Sequence, residues 1–338
     1  MIVCFPTYAR RSPTGWTATV AGMVTRPLPE RSRRRVWAVA VLKRLLELDE
    51  AQLESDVFRR RAEAFLFQRL EGLRVRVRLG DRTIDAGLSD RRGHFETRVE
   101  IDDDLVAAWQ HGGQIVPYEA MLDGEPAEPP AAGAVHLVDD TGVSVISDID
   151  DTVKFSNVAD RRELLLNTLV REFVPVSGMP EVYRRWHERG AAFHYVSSSP
   201  WQLSDCLCRF LGAAGLPAGS MHLKLFRLKD STPLGRLPSR KRAKRRIIEQ
   251  IMADFPHRRF VLVGDSGERD PEVYVDVARR RPDQVSGIAI REVPAKASPA
   301  KVRERLGRLA RRLPAATLTV FQTADELSAL EPLAASAG

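Results

Sequence analysis

The hydrophobic pattern differs between the first part of the chain and the rest. From about residue 70, the segments "LRVRVRL", "RTIDAGL" and "HFETRVEI" alternate apolar with polar side chains and are separated by "GD" and "RRGH". This period of two predicts half-buried strands joined by turns. Residues 33–70 instead place apolar side chains at helical spacing, which predicts amphipathic helices. The apolar positions of these helices are Leu42, Leu45, Leu46, Phe58, Ala62, Phe65 and Leu66.

After residue 140 the pattern changes. Near-continuous apolar runs, "VSVIS", "AAFHYVS", "RFVLVGD", "GIAI" and "TLTVF", alternate with segments of helical periodicity. Such runs predict buried parallel strands, and right-handed crossovers place the connecting helices on both faces of the sheet. The predicted fold is α/β with a parallel sheet. A smaller mixed domain of helices and a β-sandwich-like sheet precedes it.

A stretch rich in Pro, Gly and Ala separates the two patterns. Residues 123–134 read "DGEPAEPPAAGA", a composition typical of a linker. The chain has 338 residues, more than most single domains contain. We therefore expect an N-terminal mixed domain at residues 1–135 and an α/β domain at residues 140–330.

Three of the predicted strands end in polar clusters. The first runs into "SDIDDT", the second into "YVSSSPW" and the third into "VGDSGERDPE". Because parallel strands end at one edge of a sheet, these clusters should lie together, where α/β proteins bind ligands. Carboxylates so close repel one another unless a cation neutralises them. Oxygen ligands of this kind suit Mg²⁺.

Other interpretations of the first cluster fit less well. A calcium loop needs glycine at its sixth position, where this chain has Val153. A nucleotide-binding P-loop needs a Gly-Lys pair, which the sequence lacks. A purely structural explanation of the cluster is helix capping by Asp151 or Thr152. Capping, however, does not need Asp148 and Asp150 as well.

The ordered motifs resemble those of the haloacid dehalogenase-like phosphohydrolases. "DIDDT" is similar to their first motif, "YVSS" to their second, a lysine at a helix start to their third, and "GDSGERD" to their fourth. The segments "SDIDDTVK", "VSGMPEVYRRW", "YVSSSPWQL", "HLKLF" and "VLVGDSGERDPEVY" resemble, more narrowly, the catalytic domain of the actin-patch phosphatidate phosphatases. This likeness extends over residues 143–325. The front segment is similar to the leader domain of bacterial members.

The resemblance implies a role for each carboxylate. Asp148 would be the nucleophile that forms an aspartyl-phosphate, and also a metal ligand. Asp150 would be the general acid and base, a task that a raised pKa would suit, and would ligate the metal through its backbone carbonyl. Asp265 would be the second carboxylate on Mg²⁺, with Asp270 binding directly or through water.

Phosphate-binding candidates follow from the same motifs. Thr152, Ser197 and Ser198 stand in the first and second motifs. For the third motif, Lys244 precedes the apolar positions of its helix as the family pattern requires, while Lys241 and Lys224 remain alternatives. A positive charge there would neutralise nucleophile and phosphate together.

The composition indicates which kinds of binding partner the protein favours. The formal net charge of +7 favours polyanionic partners. Aromatic residues make up only 7% and form no RNA-binding motif, which disfavours nucleic acid. No apolar run is long enough to span a bilayer, and no signal-peptide core is evident. We therefore expect a cytoplasmic protein, with peripheral contact to an anionic membrane left open.

Three functions remain open at this point. The first is a Mg²⁺-dependent phosphomonoesterase that acts on phosphatidate or a related phospholipid. The second applies the same chemistry to a soluble or nucleic-acid phosphomonoester. The third is a non-catalytic basic module whose aspartates only hold a metal. A complete set of motifs with an intact nucleophile favours an enzyme over the third.

Overall fold

The structure, a computed structural model, describes residues 1–108, 114–124, 130–224, 240–294 and 298–329. The chain divides into two compact units, the first Met1–Asp139 with Gly219–Met221, the second Asp140–Ala218 with His222–Gly338. Among the residues described, no helix is long and apolar enough to cross a membrane.

The first unit is built on an extended, largely antiparallel sheet. Its strands are β1 (Ile2–Cys4), β2 (Thr7–Ser12), β3 (Gly15–Pro27), β4 (Phe67–Arg69), β5 (Arg74–Leu79), β6 (Arg82–Leu88), β7 (His94–Ile101), β8 (Ile115–Leu122) and β9 (Ala131–Val138). Its helices are α1 (Arg33–Leu46), α2 (Glu50–Glu54), α3 (Asp56–Glu63) and α4 (Asp103–Ala108).

Strand β3 organises this sheet. The main path runs β1-β3-β2-β9-β8-β5-β6, and β4 and β7 also pair with β3. The alternating residues of the strands supply a continuous core that includes Val20, Val75, Val99, Val116 and Val135. The mixed character of this part agrees with the sequence prediction.

The structure adds to that prediction and corrects two details of it. The sequence pattern gave no prediction for the strands before residue 28, although β3 is the longest strand described. The expected linker at 123–134 ends inside β9, because Ala131–Ala134 pair with β8. Leu45, expected on the packed face of α1, is 53% exposed, whereas Leu46 is buried.

The second unit contains the parallel sheet, except that the first two residues of strand β12 are assigned to the first unit. Its strands are β10 (Val143–Ser147), β11 (Ala192–Pro200), β12 (Ser220–Lys224), β13 (Arg259–Asp265), β14 (Val285–Arg291) and β15 (Leu318–Phe321). Its α-helices are α5 (Arg161–Leu169), α6 (Met179–Glu188), α7 (Ser204–Ala213), α8 (Arg240–Asp254), α9 (Asp270–Arg280) and α10 (Pro299–Ala310).

The strand order of this sheet reverses direction at its centre. The order is β12-β11-β10-β13-β14-β15, and β10 pairs in parallel with both β11 and β13. All five residues of β10 are buried, as its apolar sequence predicts. From β10 the chain proceeds first to one side of the sheet and later to the other. Ligands of α/β proteins bind beyond the carboxyl ends of strands at such a point. The α/β class predicted from the sequence is confirmed.

Candidate active site

A buried lysine joins two carboxylates at the carboxyl end of β10. Lys244 Nζ, from α8, lies 2.7 Å from Asp148 Oδ1 and 2.6 Å from Asp270 Oδ1. Burial opposes the charge of Lys244, but Asp148 and Asp270 keep its pKa well above the ordinary value. Lys241, one of the two alternatives, instead pairs with Asp276 at 3.0 Å. Lys244 is therefore the lysine that the fold brings to Asp148.

Asp148, Asp265 and Asp270 form a compact oxygen cluster. One carboxylate oxygen from each lies within 4.8 Å of the others, and all three side chains are buried. The Oδ2 atoms of Asp148 and Asp265 have no hydrogen-bond partner among the described residues. Burial, together with the neighbouring carboxylates, raises the pKa of Asp148 and of Asp265 well above the usual range. Unpartnered, buried oxygens with these properties fit a Mg²⁺ ion, which prefers carboxylate oxygen and would relieve their repulsion.

The loop after β13 is shaped to hold this cluster. Asp265 Oδ1 accepts hydrogen bonds from the backbone N–H groups of Gly267 at 2.6 Å and Glu268 at 3.0 Å. Position 264 must be glycine, since a Cβ there would collide with the Asp270 carboxylate. In the "GD" of the fourth motif, the glycine is therefore required by steric constraints and the aspartate by the chemistry of the cluster.

Asp150 lies in a separate polar pocket. Its Oδ1 lies 2.7 Å from Lys154 Nζ and accepts the Ser156 hydroxyl at 2.6 Å. Its Oδ2 accepts the Ser199 hydroxyl at 2.6 Å and the Ser197 hydroxyl at 3.4 Å. These contacts hold the Asp150 side chain in one orientation.

The pKa of Asp150 is lowered in this arrangement, whereas a raised pKa would suit a general acid. Burial acts to raise the pKa, but the Lys154 ammonium and the hydrogen bonds from Lys154, Ser156 and Ser199 lower it to about 2. Lys154 is itself buried, with its ammonium 4.8 Å from the centre of the Phe173 ring. The predicted ligation of a metal by Asp150 through its backbone carbonyl stays a prediction.

Asp151 is not a member of this cluster and shapes the loop after β10. Asp151 adopts a left-handed backbone conformation, with φ of 55°. Its Oδ1 accepts the N–H groups of Ser156 and Asn157, and its Oδ2 accepts that of Val158. Asp151 thereby folds the chain back after the first motif, which places Lys154 and Ser156 against Asp150.

The remaining phosphate-binding candidates have different surroundings. Ser197 is buried at the end of β11, where its hydroxyl also accepts the Ser199 N–H at 3.0 Å. The Ser198 hydroxyl reaches Glu268 at 3.5 Å. Thr152 is buried, and its hydroxyl has no partner among the residues described. Lys224 is the exposed last residue of β12.

Sequence reasoning missed Lys154, Ser199 and Arg305. Lys154 follows Asp150 by four positions and Ser199 follows Ser197 by two, so both stand inside quoted motifs. Arg305, on α10, carries no motif signal. Its guanidinium donates to both carboxylate oxygens of Glu272, at 2.9 and 2.6 Å, and to the carbonyls of Ser266 and Glu268, both at 2.9 Å. It therefore clamps the loop that follows Asp265.

Comparison with known proteins identifies the domain that carries this site. Residues 143–292 match the family model described as phosphatidate phosphatase APP1, catalytic domain. This segment matches the APP1 catalytic-domain family. It contains Asp148, Asp150, Lys244, Asp265 and Asp270, whereas Arg305 lies beyond the match.

Two curated fungal proteins are similar to the chain. Phosphatidate phosphatase APP1 of Saccharomyces cerevisiae is 31% identical over 249 residues, which are 70% of this chain and 41% of that protein. An uncharacterized protein of Schizosaccharomyces pombe is 33% identical over 163 residues, which are 47% of this chain and 26% of that protein. The chain thus spans less than half the length of either relative.

A solved structure from Mesorhizobium loti, assigned as a candidate HAD-like phosphatase, is also similar. The match has 9% identity and a TM-score of 0.32, and it covers 60% of this chain and 96% of the other. A similarity this low adds nothing to the fold assignment, which follows from the sheet order of the second unit.

Proposed function

We propose that this protein is a Mg²⁺-dependent phosphomonoesterase that acts through an aspartyl-phosphate on phosphatidate or a related phospholipid. One observation carries the proposal. Asp148 is buried at the carboxyl end of β10, its Oδ1 is bound by Lys244, and its Oδ2 has no partner among the described residues. A carboxylate held at one oxygen and free at the other is suited to nucleophilic attack.

The first step transfers the phosphoryl group to Asp148. Asp148 Oδ2 attacks phosphorus, a new P–O bond forms, and the bond from phosphorus to the leaving alkoxide breaks. Lys244, which contacts Asp148, would balance the negative charge that the phosphate brings.

The second step regenerates the carboxylate. The leaving alkoxide has taken a proton from Asp150 in the first step. A water molecule then attacks phosphorus, Asp150 accepts its proton, and the P–O bond to Asp148 breaks. Inorganic phosphate leaves and Asp148 is free again. The negative charge of a bound phosphate raises the pKa of a nearby carboxyl group, which would oppose the effect of Lys154 on Asp150.

The metal would be held by the carboxylates of Asp148, Asp265 and Asp270, together with the backbone carbonyl of Asp150. When bound, Mg²⁺ supplies charge neutralisation for the phosphate oxygens and the carboxylates around it. The protein's own contribution is to present the cluster in a buried setting, in which Glu268 and Gly267 N–H groups fix the orientation of Asp265.

A phospholipid is the substrate class that the relatives favour. The matched family model and the Saccharomyces cerevisiae relative both carry the name phosphatidate phosphatase. A net charge of +7 also favours association with an anionic lipid surface over a neutral one.

The test is phosphate release from phosphatidate in detergent micelles, measured in parallel with sugar phosphates and nucleotides. We expect phosphatidate to be the preferred substrate, and Asp148→Asn to lower turnover by several orders of magnitude. Asp205→Asn, an exposed aspartate on α7, is the matched control and should retain activity. Release from sugar phosphates but not from phosphatidate overturns the lipid assignment. Near-normal turnover by folded Asp148→Asn overturns the mechanism.

A further inference from the structure

Helix α1 of the first unit exposes a stripe of large apolar side chains. Trp37, Val41 and Leu45 are 70%, 41% and 53% exposed. Their spacing of four residues places them along one side of the helix. Leu46 is buried on another side, so the helix already packs through a different face. These three residues define the exposed stripe, which is distinct from the buried side that carries Leu46.

The charges on α1 are all of one sign. Its sequence, "RRRVWAVAVLKRLL", contains five basic residues and no acidic residue. Arg35 pairs with Glu63 at 3.0 Å. By contrast, Arg33, Arg34 and Arg44 are exposed and form no ion pair within the described part of the chain. These three arginines stand three or four positions from members of the exposed stripe and therefore border it.

We propose that α1 is a membrane-docking helix that lies in the surface of an anionic bilayer. An apolar face bordered by cations is the pattern by which a helix binds in the plane of the interface. Tryptophan is enriched at the level of the lipid headgroups, which is where Trp37 would lie. The unpaired arginines would contact the anionic headgroups, each contributing about 1 kcal/mol or roughly fivefold in affinity.

The charge pattern argues against a second copy of the chain as the occupant. A symmetric dimer through α1 would bring the same surface of both copies together. Arg33, Arg34 and Arg44 of one copy would then approach their counterparts, and like charges repel. An anionic bilayer offers negatively charged headgroups to the arginines and an apolar interior to the exposed stripe.

The experiment measures binding of the full chain to vesicles. One set contains equal parts of phosphatidylserine and phosphatidylcholine, and the other contains phosphatidylcholine alone. Phosphatidylserine is a phosphodiester, so the proposed phosphomonoesterase site has no substrate in either set. We expect binding to the phosphatidylserine vesicles, a blue shift of tryptophan emission that is lost in Trp37→Phe, and weaker binding as salt rises.

Paired variants distinguish the contribution of the exposed stripe to vesicle binding from that of other exposed residues. Val41→Glu with Leu45→Glu should weaken binding at least tenfold, and Arg33→Glu with Arg34→Glu should do so at low salt. Leu88→Glu on β6, 57% exposed, is the apolar control. Arg91→Glu with Arg92→Glu, in the turn before β7, is the charge control. Both controls should bind as the wild type does. Circular dichroism establishes that each variant is folded.

Three results overturn the proposal. One is the absence of binding by the wild type to phosphatidylserine vesicles. Another is equal binding by the wild type and folded Val41→Glu/Leu45→Glu. The third is a dimer in sedimentation that the same two changes dissociate.

Hydrolysis of a soluble phosphomonoester such as p-nitrophenyl phosphate should be unchanged in the α1 variants. Absence of phosphate release from micellar phosphatidate by the wild type would contradict the proposed function without affecting the vesicle measurement.

Discussion

Lys244 Nζ lies 2.7 Å from Asp148 Oδ1, although the two residues are 96 positions apart in the chain. Both side chains are buried, so the pair is formed away from bulk solvent. The ammonium is shared with Asp270, which links the β10 end to the start of α9. Each of the following predictions tests a part of this arrangement.

Removal of the Lys244 charge should abolish most of the activity. Lys244→Met keeps the length of the side chain but leaves Asp148 and Asp270 without their shared cation. We expect turnover to fall by about a hundredfold or more, the loss typical of removing one group that stabilises developing charge. Steady-state phosphate release measures it. Lys241→Met, three residues earlier on α8, should remain close to wild type because Lys241 pairs with Asp276 and not with Asp148. The reverse order of effects would show that Lys241 is the phosphate-side lysine.

Magnesium should bind the aspartate cluster and stabilise the folded protein. We expect Mg²⁺ to raise the melting temperature of the wild type, because a ligand that binds only the native state stabilises it. EDTA should abolish activity, and Ca²⁺ should restore it poorly because Ca²⁺ prefers more ligands at longer distances. Calorimetry with Asp265→Asn should show a much smaller shift with Mg²⁺, whereas Asp276→Asn should respond normally. An equal shift in Asp265→Asn would place the ion elsewhere.

Lys154 should affect catalysis through the orientation of Asp150. Lys154→Met removes the ammonium that lies 2.7 Å from Asp150 Oδ1. We expect a lower kcat with little change in KM, since no contact with the substrate is removed. Ser199→Ala, which removes the 2.6 Å hydrogen bond to Asp150 Oδ2, should act in the same direction. Ser286→Ala on β14 is the control, because its hydroxyl donates to the Phe260 carbonyl at 3.2 Å and not to Asp150. Unchanged kcat in Lys154→Met would leave Lys154 a purely structural role.

Arg305 should influence metal affinity from outside the family match. Arg305→Ala frees the loop of Ser266 and Glu268 that orients Asp265. Loss of such a supporting contact typically weakens metal binding by about 10- to 100-fold. The Mg²⁺ concentration needed for half of the thermal stabilisation measures this effect. Arg303→Ala, an exposed neighbour on α10 that pairs with Glu292, should behave as wild type. If Arg305→Ala needs the same Mg²⁺ concentration as the wild type, the loop keeps its conformation without the hydrogen bonds of Arg305.

The sequence by itself determined the sheet and one edge of the site. The apolar runs of β10, β11 and β13 are local patterns, and a parallel sheet places their carboxyl ends together whatever the details of packing. The positions of Asp148, Ser197 and Asp265 therefore follow from the sequence. The alternation that predicted β5, β6 and β7 is equally local.

Only the tertiary structure decided which lysines reach that edge. Lys241 and Lys244 stand three positions apart on α8, and the packing of the helix determines that Lys244 contacts Asp148. Lys154 contacts Asp150 because Asp151 takes up a left-handed conformation and folds the loop back, a backbone choice that the sequence pattern does not reveal. Arg305 reaches Glu272 across 33 positions without any motif.

The tertiary structure also decides which side of α1 is exposed to solvent. Periodicity shows that a helix has apolar positions, but in α1 these occur on more than one side. Leu46 is buried while Leu45 is 53% exposed, although both are leucine and adjacent. Helical spacing follows from the geometry of one segment, whereas burial depends on which neighbour that segment meets. The distinction between a packed face and an exposed one is therefore a property of the folded chain.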